Sequence, residues 1–558
     1  MDVMKRVFSV VAAGAMLTTA CMQPSAGPGP GETPTGAPQQ GGEFRINLSS
    51  EPDTIDPNRS NFAQSITVAS LVFEGLLEYD KDLKLAPAVA KEVPSVANGG
   101  ISSDGLTYTF KLRSETKWSD GQAVKAKDFV YAIKRSLDPK LAAHYASTLH
   151  DIQGAKEYNT AKEANGEQLT ALRQKVAVTA TDDNTLVIKL TAARPSFLHL
   201  ASLWVAWPVR QDIVEKHGDK WAEPPNYIGN GPFVLNRWEH NDRLEFGRNE
   251  QYWGQKPYLD KLTMVMITDA NQAYLAYQNG ELDSTAVPDA NTKLVQADPK
   301  LSKETFRNKE LTTFGYQYNT KDAPFSDVKV RQALAMAVDR KALVEQVAQG
   351  IGTVAYSPIA PGMPGHDGNL GKDFDFNVEK AKKLLAEAGY ADGSRFPRFQ
   401  FTFSDTSANR LRAEFFQGQM KQNLGIDVQL EPLDARAYTQ RFNANQFAMV
   451  FGGWGMDYPD PDNFVPELFK TGSGNNHTQY GNSQVDALSR QCQSELDETK
   501  RMAACMDAQK QVVADQPWIF AFYRERFSLL NPKVQGFQVT AKDNLPGNRF
   551  YDKIWIAK

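Results

Sequence analysis

The stretch Gly452-Gly453-Trp454-Gly455-Met456-Asp457-Tyr458-Pro459-Asp460-Pro461-Asp462-Asn463-Phe464 concentrates the side chains best suited to chemistry: three carboxylates, an indole and several glycines. A carboxylate can meet a cation, Trp454 offers a flat wall, and glycines let a ligand approach the backbone. Three readings stand side by side: a small-molecule site, a Pro/Asp-rich turn with solvated acids, and a calcium loop. The last is weakest, because the Asp spacing and the required glycine of an EF-hand are missing. Covalent chemistry has less support. The chain has no G-x-S-x-G elbow, no H-E-x-x-H and no G-x-x-x-x-G-K-S/T phosphate loop. Its seven histidines are scattered, and the nearest pair, His144 and His150, fits no ligand spacing, so no metal site and no cofactor are expected.

The strand Phe447-Ala448-Met449-Val450-Phe451 reads as continuously apolar and buried on both faces, emptying into that segment. Upstream, helical spacing at Val330, Ala333, Leu334, Ala337 and Val338 is followed by helices opening at Asp339 and at Asn377, the latter closing at Gly389. Leu411 to Leu424 reads as another helix stopped by Gly425, then Ile426, Val428 and Leu430 alternate as a strand. Strands between helices predict an α/β lobe, whose ligands sit beyond the carboxyl ends of its strands. Earlier in the chain, Leu106, Tyr108, Phe110 and Leu112 alternate as a half-buried strand, and residues 176–190 read as a hairpin. Between them Asp128 is expected to cap a helix bearing Phe129, Ile133 and Leu137.

Composition narrows the class. The 558 residues are 41% hydrophobic and 23% charged, which excludes collagen-like, wholly disordered and polytopic membrane chains. The balance of 62 basic against 66 acidic residues forms no basic stripe, so no nucleic-acid partner is expected. The three cysteines, Cys21, Cys492 and Cys505, are too few for a disulfide scaffold. Cys492 and Cys505 fall on two helices, near 483–496 and 500–514, joined by a polar turn; they are either bridged or two buried thiols, and an oxidising compartment favours the bridge.

The first forty-two residues are not fold. Lys5 and Arg6 precede a short apolar run, Val7 to Leu17, and small residues before Cys21, the order of a secretory signal peptide. Residues 22–42 contain eleven prolines and glycines, which predicts a flexible tether. Cys21 resembles a bacterial lipoprotein site, although Thr18 stands where such sites usually carry leucine; two acyl chains there would hold the chain to a membrane. Simple secretion, with Cys21 unmodified, is the other reading.

Taken in order, EPDTIDP (51–57), VFEGLLEYD (72–80), LTYTFKLRSETKWSDGQAVKAKDFVYAIKR (106–135), GNGPFVL (229–235), RNEQYW (248–253), AYQNGELD (276–283), NTKDAPFSDVKVRQALAMAVDR (319–340), AKKLLAEAGY (381–390) and WGMDYPDPDNF resemble the solute-binding proteins of oligopeptide and dipeptide ABC importers, lipoprotein type. The resemblance implies an α/β fold, a two-lobed type II periplasmic-binding-protein clamshell with an extra subdomain. The implied division is signal peptide 1–20 and lipid-anchored tether 21–42, then a first lobe from 43–74, 207–313 and 525–558. A subdomain at 75–206 and a second lobe at 314–524 complete it.

In that family the carboxylate of W-x-x-D-Y holds the peptide's α-ammonium, here Asp457. A buried carboxylate without its partner costs roughly 3 to 5 kcal/mol, so amine-free ligands are expected to bind poorly. The resemblance also places peptide backbone against extended main chain at Asn61, Phe62 and Ala63 and at Gly453 to Gly455, a mode that tolerates sequence. Trp454 would wall a side-chain pocket or serve lobe packing, and Tyr145 would approach from the subdomain. No motif surrounding Arg410, Arg412, Arg436 or Arg441 identifies a partner for a ligand carboxylate. The implied function is a monomeric substrate-binding subunit, with no enzymatic activity, delivering peptides to a permease driven by partner ATPases. An oligosaccharide or metal-chelate carrier of the same family and a secreted hydrolase are the alternatives.

Overall fold

The computed structural model describes residues 37–557 apart from 392 and 394. The signal peptide, Cys21 and most of the tether lie outside the described residues. Among those described, no helix is long and apolar enough to cross a membrane.

One eleven-stranded sheet runs through the molecule. From one edge its strands are Val428–Leu433, Phe399–Ser404, Met449–Gly455, Thr305–Tyr318, Trp518–Leu530, Ser284–Ala286, Glu43–Asn47, Lys261–Val265, Arg243–Arg248 and Phe233–Glu239, with Thr353–Val354 added beside Trp518–Leu530. Two strands are unusually long, the 14 residues of Thr305–Tyr318 and the 13 of Trp518–Leu530. At ~3.3 Å per residue the longer spans about 45 Å, enough to serve both ends of the sheet. Their antiparallel pairing lapses in the middle. Lys309 pairs with Glu525 and Thr313 with Tyr523, so Glu310, Leu311 and Thr312 stand opposite the single residue Arg524. Such a bulge breaks the ladder and bends the strand.

Separate cores lie on either side of that interruption. One gathers Phe44, Ile46, Phe73, Phe110, Trp118 and Phe129. On the other side, Tyr316, Phe401, Phe416 and Ile519 form one cluster and Phe464, Phe469, Val512 and Phe520 another. The result is a two-lobed α/β clamshell. A second, three-stranded sheet, Thr107–Lys111, Thr185–Lys189 and Val178–Asp182, packs with the helix Ala126–Ser136 in the segment between residues 75 and 206.

Several local expectations shift. Asp128 does not cap its helix: Lys125 is the N-cap, and Asp128 sits three residues in, accepting the Lys125 main-chain N–H at 2.9 Å as half of a capping box. The helix expected from Leu411 begins at Ser407, capped by Thr406, whose hydroxyl accepts the Asn409 N–H. The apolar strand does not end at Phe451 but continues to Gly455. Its glycines answer to packing as much as to a ligand. A Cβ on Gly453 would lie 2.7 Å from the Thr313 carbonyl oxygen and 2.8 Å from the Phe314 ring, so the strand pair closes only without one. Cys492 and Cys505, on the helices Ser483–Ser494 and Glu498–Asp515, are joined as a disulfide with Cα atoms 4.9 Å apart.

Candidate functional site

The strand Met449–Gly455 is held differently at its two ends. Met449 and Val450 pair on one side with Phe401 and Thr402, while Gly453, Trp454 and Gly455 pair only on the other, with Phe314, Thr313 and Thr312. The second edge of residues 453–455 therefore carries no strand among the described residues, and it borders two cavities of about 870 and 340 Å³. Asn61, Tyr145, Gly453, Trp454 and Asp457 line both, so the two are chambers of one cleft meeting at these residues. Phe62 reaches the larger chamber only, and Ala63 and Gly455 the smaller only. All eight residues expected at a ligand site thus meet in one place.

The expected extended segment at 61–63 is shorter than supposed. Phe62 is extended at φ −99° and ψ 151°, but it is the N-cap of the helix Ala63–Val72, so Ala63 is already helical. An Asn61 or Phe62 main-chain contact in β geometry is possible; Ala63 instead presents one of the helix's unpaired first-turn amides. Asn61 adds an acceptor, for its side-chain oxygen is buried without a donor among the described residues.

The three carboxylates of the motif part company. Asp460 receives both arms of Arg501, at 3.0 and 2.8 Å. Asp462, wholly buried, meets Arg194 at 3.0 Å and the Ser196 hydroxyl at 2.6 Å. Burial outweighs that arginine and pushes the Asp462 carboxyl up to about 7. Both are committed to the protein's own cations, which removes the calcium-loop reading and that of solvated acids.

Asp457 has no arginine. The Tyr145 hydroxyl donates to its Oδ1 at 3.2 Å and the Asn463 amide to its Oδ2 at 3.3 Å, while its own N–H donates to Asn463 Oδ1 at 2.9 Å. Burial raises its pKa to about 6, against the opposing pull of the Lys542 charge. Lys542 donates to the Asp457 main-chain carbonyl rather than to the carboxylate. A carboxylate served by two neutral donors and facing a cleft is short of one cation, which suits it to an ammonium group brought by a ligand.

Trp454 is placed where either reading of it could hold. It is half-buried against the core of Phe464 and Phe520, its Nε1 reaching Asn463 Oδ1 at 3.4 Å, and it still walls both chambers. Three of the four arginines considered for a ligand carboxylate are otherwise engaged: Arg410 with Asp405, Arg441 with Glu431, and Arg412 with Asp289. Lys542 and Arg194 carry no local sequence signal, and only the fold brings them to Asp457 and Asp462; Asn463 lies within the motif itself. Among the described residues no cluster of His, Cys, Asp and Glu has the form of a metal site.

Comparison with known proteins bears on this cleft. Residues 84–476 match the model of the bacterial extracellular solute-binding proteins, family 5. The dipeptide-binding protein DppE of Bacillus subtilis (strain 168) is 32% identical over 503 residues, covering 88% of each chain. Among solved structures, a periplasmic oligopeptide-binding protein of Borrelia burgdorferi superposes with a TM-score of 0.78 at 29% identity, over 92% of this chain and 99% of that one. Haemophilus influenzae OppA in complex with the peptide RPPGFSPFR gives the same TM-score at 27% identity, over 94% and 100%.

Proposed function

The chain belongs to family 5 of the bacterial extracellular solute-binding proteins, and from that premise we propose that it captures peptides between its lobes and delivers them to an ABC importer. One observation carries the peptide reading furthest: Asp457, short of a cation, stands at the end of an unpaired strand edge, Gly453 to Gly455. The first accepts an α-ammonium, and the second adds a ligand's main chain as a strand, which reads backbone and tolerates side chains. Asn61 supplies a further acceptor, Tyr145 orients the Asp457 carboxylate, and Trp454 walls the chambers that receive side chains. The relatives named above are described as binding dipeptides, oligopeptides or a nonapeptide, which supports the same class.

In this reading the lobes comprise 43–74, 207–313 and 525–558 on one side and 314–524 on the other, with the subdomain 75–206 on the first. The hinge is the bulge at Glu310 to Thr312. The chain does no chemistry on its ligand, works as a monomer, and is tethered outside the cell membrane through Cys21 in a lipoprotein linkage. The pairing of Cys492 with Cys505 is structural.

Native mass spectrometry of the protein purified from cells, followed by release of its ligand, tests the assignment. Intact peptides with free amino termini are expected. A sugar or a metal chelate in their place would overturn it, as would peptides cleaved by the purified protein.

A further inference from the structure

The smaller chamber has an unbalanced charge. Three acids face it, and each has an account. Glu310 is engaged by Arg526 and lies 3.4 Å from Arg524. Asp543 accepts the Thr540 and Gly547 N–H groups and the Thr540 hydroxyl, all at 2.8 Å. Asp457 is held by Tyr145 and Asn463. Of the four cations in the chamber, Arg524 and Arg526 are thereby matched to Glu310.

Two cations are left over. Lys542 and Arg549 converge on one ring, with the Lys542 Nζ 5.2 Å and the Arg549 Cζ 5.6 Å from the Tyr79 centroid. Among the described residues neither has a carboxylate within ion-pair distance; Lys542 is bonded to a main-chain carbonyl and feels the Asp457 charge without a direct ion pair, and Arg549 feels Glu78 and Asp543 only at longer range. Burial and then the Arg549 charge depress the Lys542 pKa to about 7, although the Asp457 charge pulls it the other way. Two half-buried cations sharing a cavity repel each other, a cost that an anion entering it would relieve.

Their place limits what that anion is. Because Lys542 is bonded to the main chain of Asp457, the cation pair and the ammonium acceptor are neighbours, within the reach of one amino-acid residue. We propose that Lys542 and Arg549 form an anion subsite for a carboxylate carried on the ligand's first residue, while Asp457 holds that residue's α-ammonium. The ligands so favoured are peptides that begin with an acidic residue. The inference rests on the peptide reading above.

Isothermal titration with Glu-Ala-Ala and Gln-Ala-Ala at pH 6.5, where Lys542 is charged, tests it. The two peptides differ in one charge at constant size. Glu-Ala-Ala should bind the unaltered protein at least tenfold more tightly, and the ratio should fall towards one in Arg549→Gln and, independently, in Lys542→Gln. Equal affinities in the unaltered protein, or a ratio undiminished in both variants, would overturn the subsite while leaving peptide binding intact. Failure of both peptides to bind would instead remove the peptide reading, and this inference with it. The comparison in the unaltered protein does not depend on any variant folding.

Discussion

Replacing Asp457 by Asn isolates the charge that the cleft offers to a ligand. The exchange keeps the shape and one acceptor for the Tyr145 hydroxyl, so it removes little else. Left without a ligand, the carboxylate still has Tyr145 and Asn463 as donors and Lys542 nearby, so an absent amine does not leave it stranded. The full cost of an unpaired buried charge, roughly 3 to 5 kcal/mol, is therefore too large for this site. A hydrogen bond to a charged group contributes about 1.5 to 3 kcal/mol, or roughly 10- to 150-fold in affinity. The assay is a thermodynamic cycle: tetra-alanine and its N-acetyl form, each titrated into the unaltered protein and Asp457→Asn at pH 7.5. The free peptide should lose affinity by that factor in the variant while the acetylated one does not, giving a coupling of about 2 kcal/mol. A coupling below about 0.5 kcal/mol, the ordinary error of additivity, would refute the ammonium contact.

Other outcomes follow from the same geometry. An ammonium ligand binds the ionised carboxylate, so its affinity should be full above pH 6 and fall about tenfold per unit below it, a decline read by calorimetry from pH 6.5 to 4.5 and absent in Asp457→Asn. Arg194→Met leaves the buried Asp462 without its cation, and equilibrium denaturation should show a loss of about 3 to 5 kcal/mol, smaller when Asp462→Asn is added. Burial and the nearby Glu78 raise Glu74 to about 8, so the folded protein keeps a proton that the unfolded chain releases near 4.5; stability should decline as pH rises between those values. Glu74→Gln, which retains an acceptor for Tyr252 and Trp253, should flatten that decline and gain on the order of 2 kcal/mol at pH 8 by thermal melting. Removing the Cys492–Cys505 bridge, whose ends are 13 positions apart, should cost about 2 to 4 kcal/mol in denaturant.

What the sequence makes legible depends on the range of the interaction. Helix ends at Asn377, Gly389 and Gly425 follow from local backbone chemistry, and they lie where their residue types put them. Asp128 is the instructive case, since an acid near a helix start serves as cap or as third residue, and the choice turned on a Lys125 conformation that composition does not encode. Glycines disfavour strands, so Gly452 to Gly455 read as a loop. The long partner strand overrides that preference, because its Thr313 carbonyl fills the space a side chain would need. The residues alone left three acids of the motif equivalent and only the resemblance pointed to Asp457; the fold supplies a physical reason, because Arg194 and Arg501 claim the other two. Ser196 and Asp462 lie 266 positions apart, and Lys542 and Asp457 85 apart, distances at which spacing carries no information.

Those long-range contacts also govern closure. Tyr145 touches Asp457, Arg194 and Ser196 hold Asp462, and His199 stacks on Tyr458 at 5.9 Å, so one segment, 145–199, grips one short strip, 457–462. That strip is continuous with the strand edge facing the cleft, and it crosses from the half carrying the first core to the half carrying the second. The contacts that keep the halves together are thus adjacent to Asp457, the group proposed to meet the ligand, and opening must separate them. A ligand shifts such an equilibrium only by contacting the closed state better than the open one. Under the proposed ammonium contact Asp457 meets this condition, because its Oδ1 partner Tyr145 packs against the first core and an ammonium placed there would bond a carboxylate already oriented across the cleft. Burying Asp462 and Arg194 in the same interface contributes little net stability, since desolvation offsets much of their attraction. Closure without ligand is then only weakly favoured by its own ion pair, and ligand chemistry at Asp457 is left to decide it.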